Sequence, residues 1–197
     1  STDGKLVGLI GDVGSGPGEY LYPRNFFINS DTLCVVTSDD KYIHYFKTDG
    51  EFITKRQIPY TAFEQVYKYN DNRYLVFLNL NNQIKDERLV VLDNEGKEIN
   101  AFLQKKTKVH SYEGLKGVFT KYGDEIMLRG FYIDTIYQYN PEQGLRPRVM
   151  VEFGEKKTYK EEYLKSEGTL EVYGQFLFYF FACIADFRES SNYFIIK

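Results

Sequence analysis

Short runs in which apolar and polar residues alternate make up most of this chain, and tight polar turns separate them. Period-two alternation is the mark of a half-buried β-strand. Ile43-His44-Tyr45-Phe46, Leu89-Val90-Val91-Leu92 and Ile136-Tyr137-Gln138-Tyr139 are three such runs. Each leads into a glycine turn: Thr48-Asp49-Gly50, Asn94-Glu95-Gly96 and Glu142-Gln143-Gly144. Another run follows each turn: Phe52-Ile53, Ile99 to Leu103, and Val149 to Phe153. A Gly-bearing turn between two alternating runs predicts a β-hairpin. Further upstream lie Leu33 to Val36, Tyr74 to Leu78 and Glu125 to Leu128. Before these come Phe26 to Ile28, Val66 to Tyr69 and Val118 to Lys121, joined to them by short polar turns.

The pattern is a repeat. Thr2-Asp3-Gly4-Lys5-Leu6-Val7 opens the chain in the same way, so the turn glycines fall at 4, 50, 96 and 144. The steps are 46, 46 and 48, and a further 48 lands on Asn192, before Tyr193-Phe194-Ile195-Ile196. Asn is the residue that best replaces Gly at positive φ. Each repeat reads strand, turn, strand, loop, strand, Gly turn, strand. Four antiparallel strands in ~40–50 residues is the signature of a propeller blade. The fold class is therefore all-β, a β-propeller of four-stranded antiparallel blades.

The chain reads as one domain over residues 1–197. Blades are expected at about 20–57, 63–104 and 117–154, with a degenerate fourth at 169–197. Residues 1–10 supply a lone outer strand. A lone leading strand suits a ring closed by its two termini, and equally a piece of a larger ring. Helical periodicity is almost absent. Lys156 to Lys165 reads as either one short helix or a solvated loop.

Composition sharpens this picture. There are 18 Tyr and 16 Phe, no Trp, and only 2 His and 2 Met, so β structure is favoured and acid–base or metal chemistry is poorly supplied. A net charge of -3 gives no global pull toward nucleic acid. The basic run Lys105 to Lys108 reads as a solvated loop. The longest apolar run, Phe176 to Ala185, has ten residues. A membrane helix needs ~20, so the run reads as a buried strand or core segment. Cys34 and Cys183 sit among apolar neighbours and read as buried free thiols, with a disulfide between them the alternative. No leader is visible at Ser1 to Lys5, which leaves a cytoplasmic chain or one that begins after a removed leader.

Ile10-Gly11-Asp12-Val13-Gly14-Ser15-Gly16-Pro17-Gly18-Glu19-Tyr20, followed by Pro23 and a strand, resembles the six-bladed β-propeller proteins of bacteria. These are NHL-like and TolB-like in architecture, and the similarity is greatest to a lipoprotein-type group of gut anaerobes. The Asp-Gly hairpins at 3–6 and 49–53 fit the same group. The resemblance implies export to the periplasm or cell surface, with any membrane attachment through a lipid anchor outside this chain. It implies no particular activity. The chain departs from the pattern in length, because six blades of this size need ~250 residues. A four-bladed ring, part of a six-bladed one, and a ring shared by two chains all stay open.

Gly11, Gly14, Gly16 and Gly18 do not satisfy G-x-G-x-x-G, and no helix start follows, so they read as a structural crossover rather than a phosphate loop. His44 and His110 lie in different repeats and suggest no metal site. Asp39, Asp40, Asp71, Asp124 and Asp134 read as turn carboxylates. No nucleophile elbow occurs. No catalytic residue, metal ligand or cofactor is expected. Residues near the start of an innermost strand approach the central channel. The expected ligand contacts are therefore Tyr20, Tyr22 and Arg24 after the crossover, and Arg129 just past the second strand of the third repeat. The reading is an exported, non-enzymatic propeller that binds a glycan, peptide or partner protein. The alternative is a propeller hydrolase or lyase with a site spread over several blades. Self-association through open blade edges is a further expectation.

Overall fold

The computed structural model describes residues 8–37, 41–70, 72–79, 84–105, 118–129, 134–152, 187–189 and 194–196. Twelve strands form three four-stranded antiparallel sheets, each in simple up-and-down order. The first holds β3 (Pro23–Asn29), β4 (Thr32–Thr37), β5 (Tyr42–Lys47) and β6 (Phe52–Gln57). The second holds β7 (Phe63–Asn70), β8 (Arg73–Leu78), β9 (Glu87–Asp93) and β10 (Glu98–Gln104). The third holds β11 (Phe119–Tyr122), β12 (Glu125–Leu128), β13 (Thr135–Asn140) and β14 (Gly144–Met150). The protein is an all-β propeller built from such blades. β1 (Asp12–Val13) and β2 (Glu19–Tyr20) make a short parallel pair in the crossover, and β15 (Phe187–Glu189) pairs with β16 (Phe194–Ile196).

The middle strands explain the packing. Arg73–Leu78 and Glu87–Asp93 are almost continuously apolar because the first and third blades cover their two faces. Thr32–Thr37 faces the second blade with Cys34 and Val36, and Val35 pairs with His44, which meets Tyr20 of the crossover. Alternation divides β8 between two cores. Tyr74, Val76 and Leu78 join Cys34, Val36 and Ile43 of the first blade. Leu75 and Phe77 join Val118, Phe119, Ile126 and Leu128 of the third. The fourth strands β6, β10 and β14 contain no fully buried residue and lie at the exposed outer edge. The repeat glycines behave as the spacing requires: Gly50, Gly96 and Gly144 have φ of 96°, 85° and 73°. An L side chain at those angles would be strained.

Cys34 is buried and free, and Cys183 lies outside the described residues. So do the 156–165 segment, the 176–185 run, His110, Asn192, most of the expected fourth blade and most of the lone leading strand. Among the described residues no helix is long and apolar enough to cross a membrane.

Candidate functional site

The inner strands of the first two blades both begin with a bulge. On β3 the pairing steps from Pro23↔Thr37 to Asn25↔Val36, which leaves Arg24 as the extra residue. On β7 it steps from Phe63↔Leu78 to Gln65↔Phe77, which leaves Glu64. A bulge bends the strand and re-aims the extra side chain. Here it turns Arg24 and Glu64, 40 positions apart, toward one another: Arg24 Nη2 lies 3.3 Å from Glu64 Oε2. The Asn79 side-chain amide donates to the other oxygen, Oε1. The Glu64 side chain is 1% exposed and that of Arg24 21%, so this charge pair is mostly out of water. Buried charges are tolerated when paired and hydrogen-bonded, as both carboxylate oxygens are here.

The residues after the bulges tie the inner strands together. Asn25 Nδ2 donates to the Val66 carbonyl at 3.0 Å, and Val66 N–H reaches Asn25 Oδ1 at 3.5 Å. One blade further on, Gln65 Oε1 accepts from Val118 N at 2.8 Å and Phe119 N at 3.4 Å. Equivalent side chains therefore perform equivalent cross-blade work. Arg129 has the same place in the third blade that Asn79 has in the second. Asn79 N donates to Ala62 O at 2.8 Å and Arg129 N to Val118 O at 3.0 Å. Arg129 is 5% exposed. Arg88 is also buried, with its guanidinium carbon 4.4 Å from the centre of the Phe77 ring. Stacking of this kind lets an arginine lie against apolar surface.

The four expected contacts have different surroundings. Tyr20 is built into the crossover: its hydroxyl donates to Ile10 O at 2.6 Å, and its ring meets His44 and Phe46 edge-on at 5.8 and 6.1 Å. Tyr22 stands out at 70% exposure with φ of 45°. Arg24 belongs to the buried pair. Arg129 lies at the corresponding end of the third blade, its N–H donating to Val118 O at 3.0 Å. Glu64, Asn79, Asn25 and Gln65 were not expected from the sequence, because a register shift leaves no mark in the hydrophobic pattern.

The glycine-rich crossover is closed by its own carboxylate. Gly16 N–H donates to Glu19 Oε2 at 2.8 Å, and Glu19 N–H donates back to Gly16 O at 3.1 Å. A Cβ on Gly14 would strike the Glu19 carboxylate, and one on Gly11 would strike the Tyr20 ring. Glu19 thus supplies the loop with its own hydrogen-bond acceptor. His44 is fully buried among the aromatic rings of Tyr20, Tyr42 and Phe52. Among the described residues no group of three or more His, Cys, Asp or Glu is placed to hold a metal.

A family described as a domain of unknown function, DUF4934, matches residues 1–197. Among solved structures, the chain is similar to a protein of Bacteroides fragilis NCTC 9343 whose name marks it as expected to be exported. The TM-score is 0.70 at 20% identity, over 89% of this chain and 51% of that one. The chain therefore spans about half the length of that relative. More distant similarities are to the computationally designed Ika8 protein and to a member of the DUF4221 family from Bacteroides vulgatus ATCC 8482. Ika8 gives a TM-score of 0.46 at 10% identity, over 88% of this chain and 42% of that one. The Bacteroides vulgatus protein gives 0.45 at 10% identity, over 71% and 46%. No curated protein matches the chain.

Proposed function

The chain belongs to the DUF4934 family, and we propose that it is an exported, non-enzymatic propeller that binds a glycan, peptide or partner protein. Its ligand face is the end at which the inner strands begin. One observation carries this reading: the bulged strand starts gather Arg24, Glu64 and Asn79 at that end, and Tyr22, two residues before Arg24, is exposed. Tyr22 supplies a rigid amphipathic contact, as tyrosine does at many binding faces. Arg24 and Arg129 supply donors, and Tyr20 holds the loop that carries Tyr22. The name of the Bacteroides fragilis relative supports export, and attachment by a lipid anchor outside these residues is part of the proposal.

Labelled protein on glycan and peptide arrays, followed by calorimetric titration of the array ligand, tests the proposal. Tyr22→Ala is expected to weaken binding about 10-fold or more, in line with loss of an aromatic contact. Turnover of the array ligand, or binding unchanged in both Tyr22→Ala and Arg129→Ala, overturns it.

A second reading is self-association, favoured by the open side of β3. Phe26 and Ile28 are 72% and 65% exposed. Val66, at the position of β7 that matches Phe26, is 1% exposed under the first blade. A second copy seated on β3 would cover this face as the first blade covers β7. Light scattering tests it: a dimer that Phe26→Lys dissociates supports this reading, and a strict monomer rejects it.

A further inference from the structure

Propeller blades radiate from a central axis, so adjacent blades leave a wedge at the rim. The first wedge is closed. Arg56 Nη1 on β6 donates across it to Asn94 Oδ1 at 2.7 Å. Its guanidinium carbon lies 5.8 and 5.9 Å from the ring centres of Tyr45 and Tyr74, whose hydroxyls hydrogen-bond at 2.8 Å. The repeat identifies the same positions in the second wedge. Arg56 pairs with Ile43, and Phe102 pairs with Leu89, each 46 residues on. Asn94 follows Asp93, whose Oδ1 accepts from Glu95 N at 2.8 Å; Pro141 follows Asn140, whose Oδ1 accepts from Glu142 N at 2.8 Å. Where the first wedge has an Arg–Asn bridge, the second has Phe102 and Pro141, which cannot make one.

The second wedge is a cleft of about 280 Å³. Its walls carry Arg73, Asn100, Glu142 and Gln143 with the apolar Ile99 and Phe102. Phe102 packs edge-on against the buried Tyr139, ring centres 6.3 Å apart. Gly144 makes room for it, since a Cβ there would approach within 3.2 Å of the Phe102 ring. Ile99 is 51% exposed at the mouth.

From this lining we infer a saccharide-binding cleft between the second and third blades, for one or two sugar units. Size and chemistry agree. Ligand sites run from ~300 Å³ upward, so this one suits a small ligand. One cation, one anion and two neutral amides leave the walls without a net charge, which favours a neutral ligand over an ionic one. Asn100 and Gln143 each offer both donor and acceptor, as sugar hydroxyls require. Phe102 and Ile99 offer apolar surface to the C–H face of the ring. This cleft is separate from the inner-strand end, and its test uses different substitutions.

Saturation-transfer NMR with the methyl glycosides of glucose, galactose, mannose and N-acetylglucosamine tests it. Saturable binding of at least one, with Kd at or below about 1 mM, is expected. Shift changes should centre on the side-chain amides of Asn100 and Gln143. Phe102→Arg installs the residue that closes the first wedge, and Gln143→Ala removes a polar partner. Each should weaken binding at least about 10-fold without loss of the folded β spectrum. Because Gln143 is exposed, that variant remains a test if Phe102→Arg fails to fold. Absence of saturable binding by all four glycosides overturns the inference. So does binding that survives Gln143→Ala unchanged, or shifts confined to another surface.

Discussion

At the residue scale, burial sets the chemistry of several ionisable groups. Burial pushes the Cys34 thiol up to about 11, only partly offset by Lys68. Burial also raises Tyr45, helped by its hydrogen bond with Tyr74, and raises Tyr60, helped by Glu98. A thiol near 11 carries roughly 100-fold less thiolate at pH 8 than one near 9. In a Cys183→Ser background, Cys34 should therefore react slowly with a disulfide reagent in the native protein and rapidly in urea. Equal rates would contradict its burial. The same shifts set a sign for stability. These groups lose their protons in the unfolded chain first, so folding is fully supported below pH 9.0, the ordinary thiol value. Stability should then fall as pH rises toward the folded values, which denaturant midpoints measured through pH 8 to 11 would show. A second residue-level feature is Gly11, at φ of 72° and against the Tyr20 ring. Gly11→Ala should cost about 1–3 kcal/mol, read as a lower urea midpoint.

At the scale of elements, the hairpins were legible because their chemistry is local. Gly50, Gly96 and Gly144 each occupy a turn that needs positive φ, and their spacing gave the phase of the blades. The continuous apolar runs of β4, β8 and β9 were legible for a related reason, since both faces are buried. The joins between blades were not. Asn25 and Gln65 look like ordinary strand residues, and only the folded register shows each reaching the next inner strand. The crossover was half legible: its glycines announced a tight loop, but not that Glu19 closes it. Asn25→Ala leaves the buried Val66 N–H and C=O without that amide. It should destabilise the fold by about 1–3 kcal/mol, with the urea midpoint lowered and the m-value unchanged. A midpoint equal to the wild type would mean that the amide is no staple.

At the scale of the whole molecule, repetition makes the departures informative. Three blades share one plan, so a position that breaks the plan stands out against its counterparts. The open second wedge and the uncovered Phe26 and Ile28 are such departures, whereas the bulges at Arg24 and Glu64 are shared by the first two blades. Among the described residues, aromatic side chains form many of the contacts between strands and blades. Phe46, Phe63 and Phe77 are fully buried, whereas Tyr22 stands in solvent. Of the expected contact residues, Arg24 was placed at its strand start by the repeat phase alone. Its partner Glu64 was hidden, because ion pairs between blades leave no local pattern. The central claim is that the inner-strand end is a ligand face. A crystal structure of the protein with its array ligand tests this most directly. The account predicts ligand density against Tyr22, within hydrogen-bond reach of Arg24 or Arg129. A bound array ligand that touches none of these three residues would contradict it.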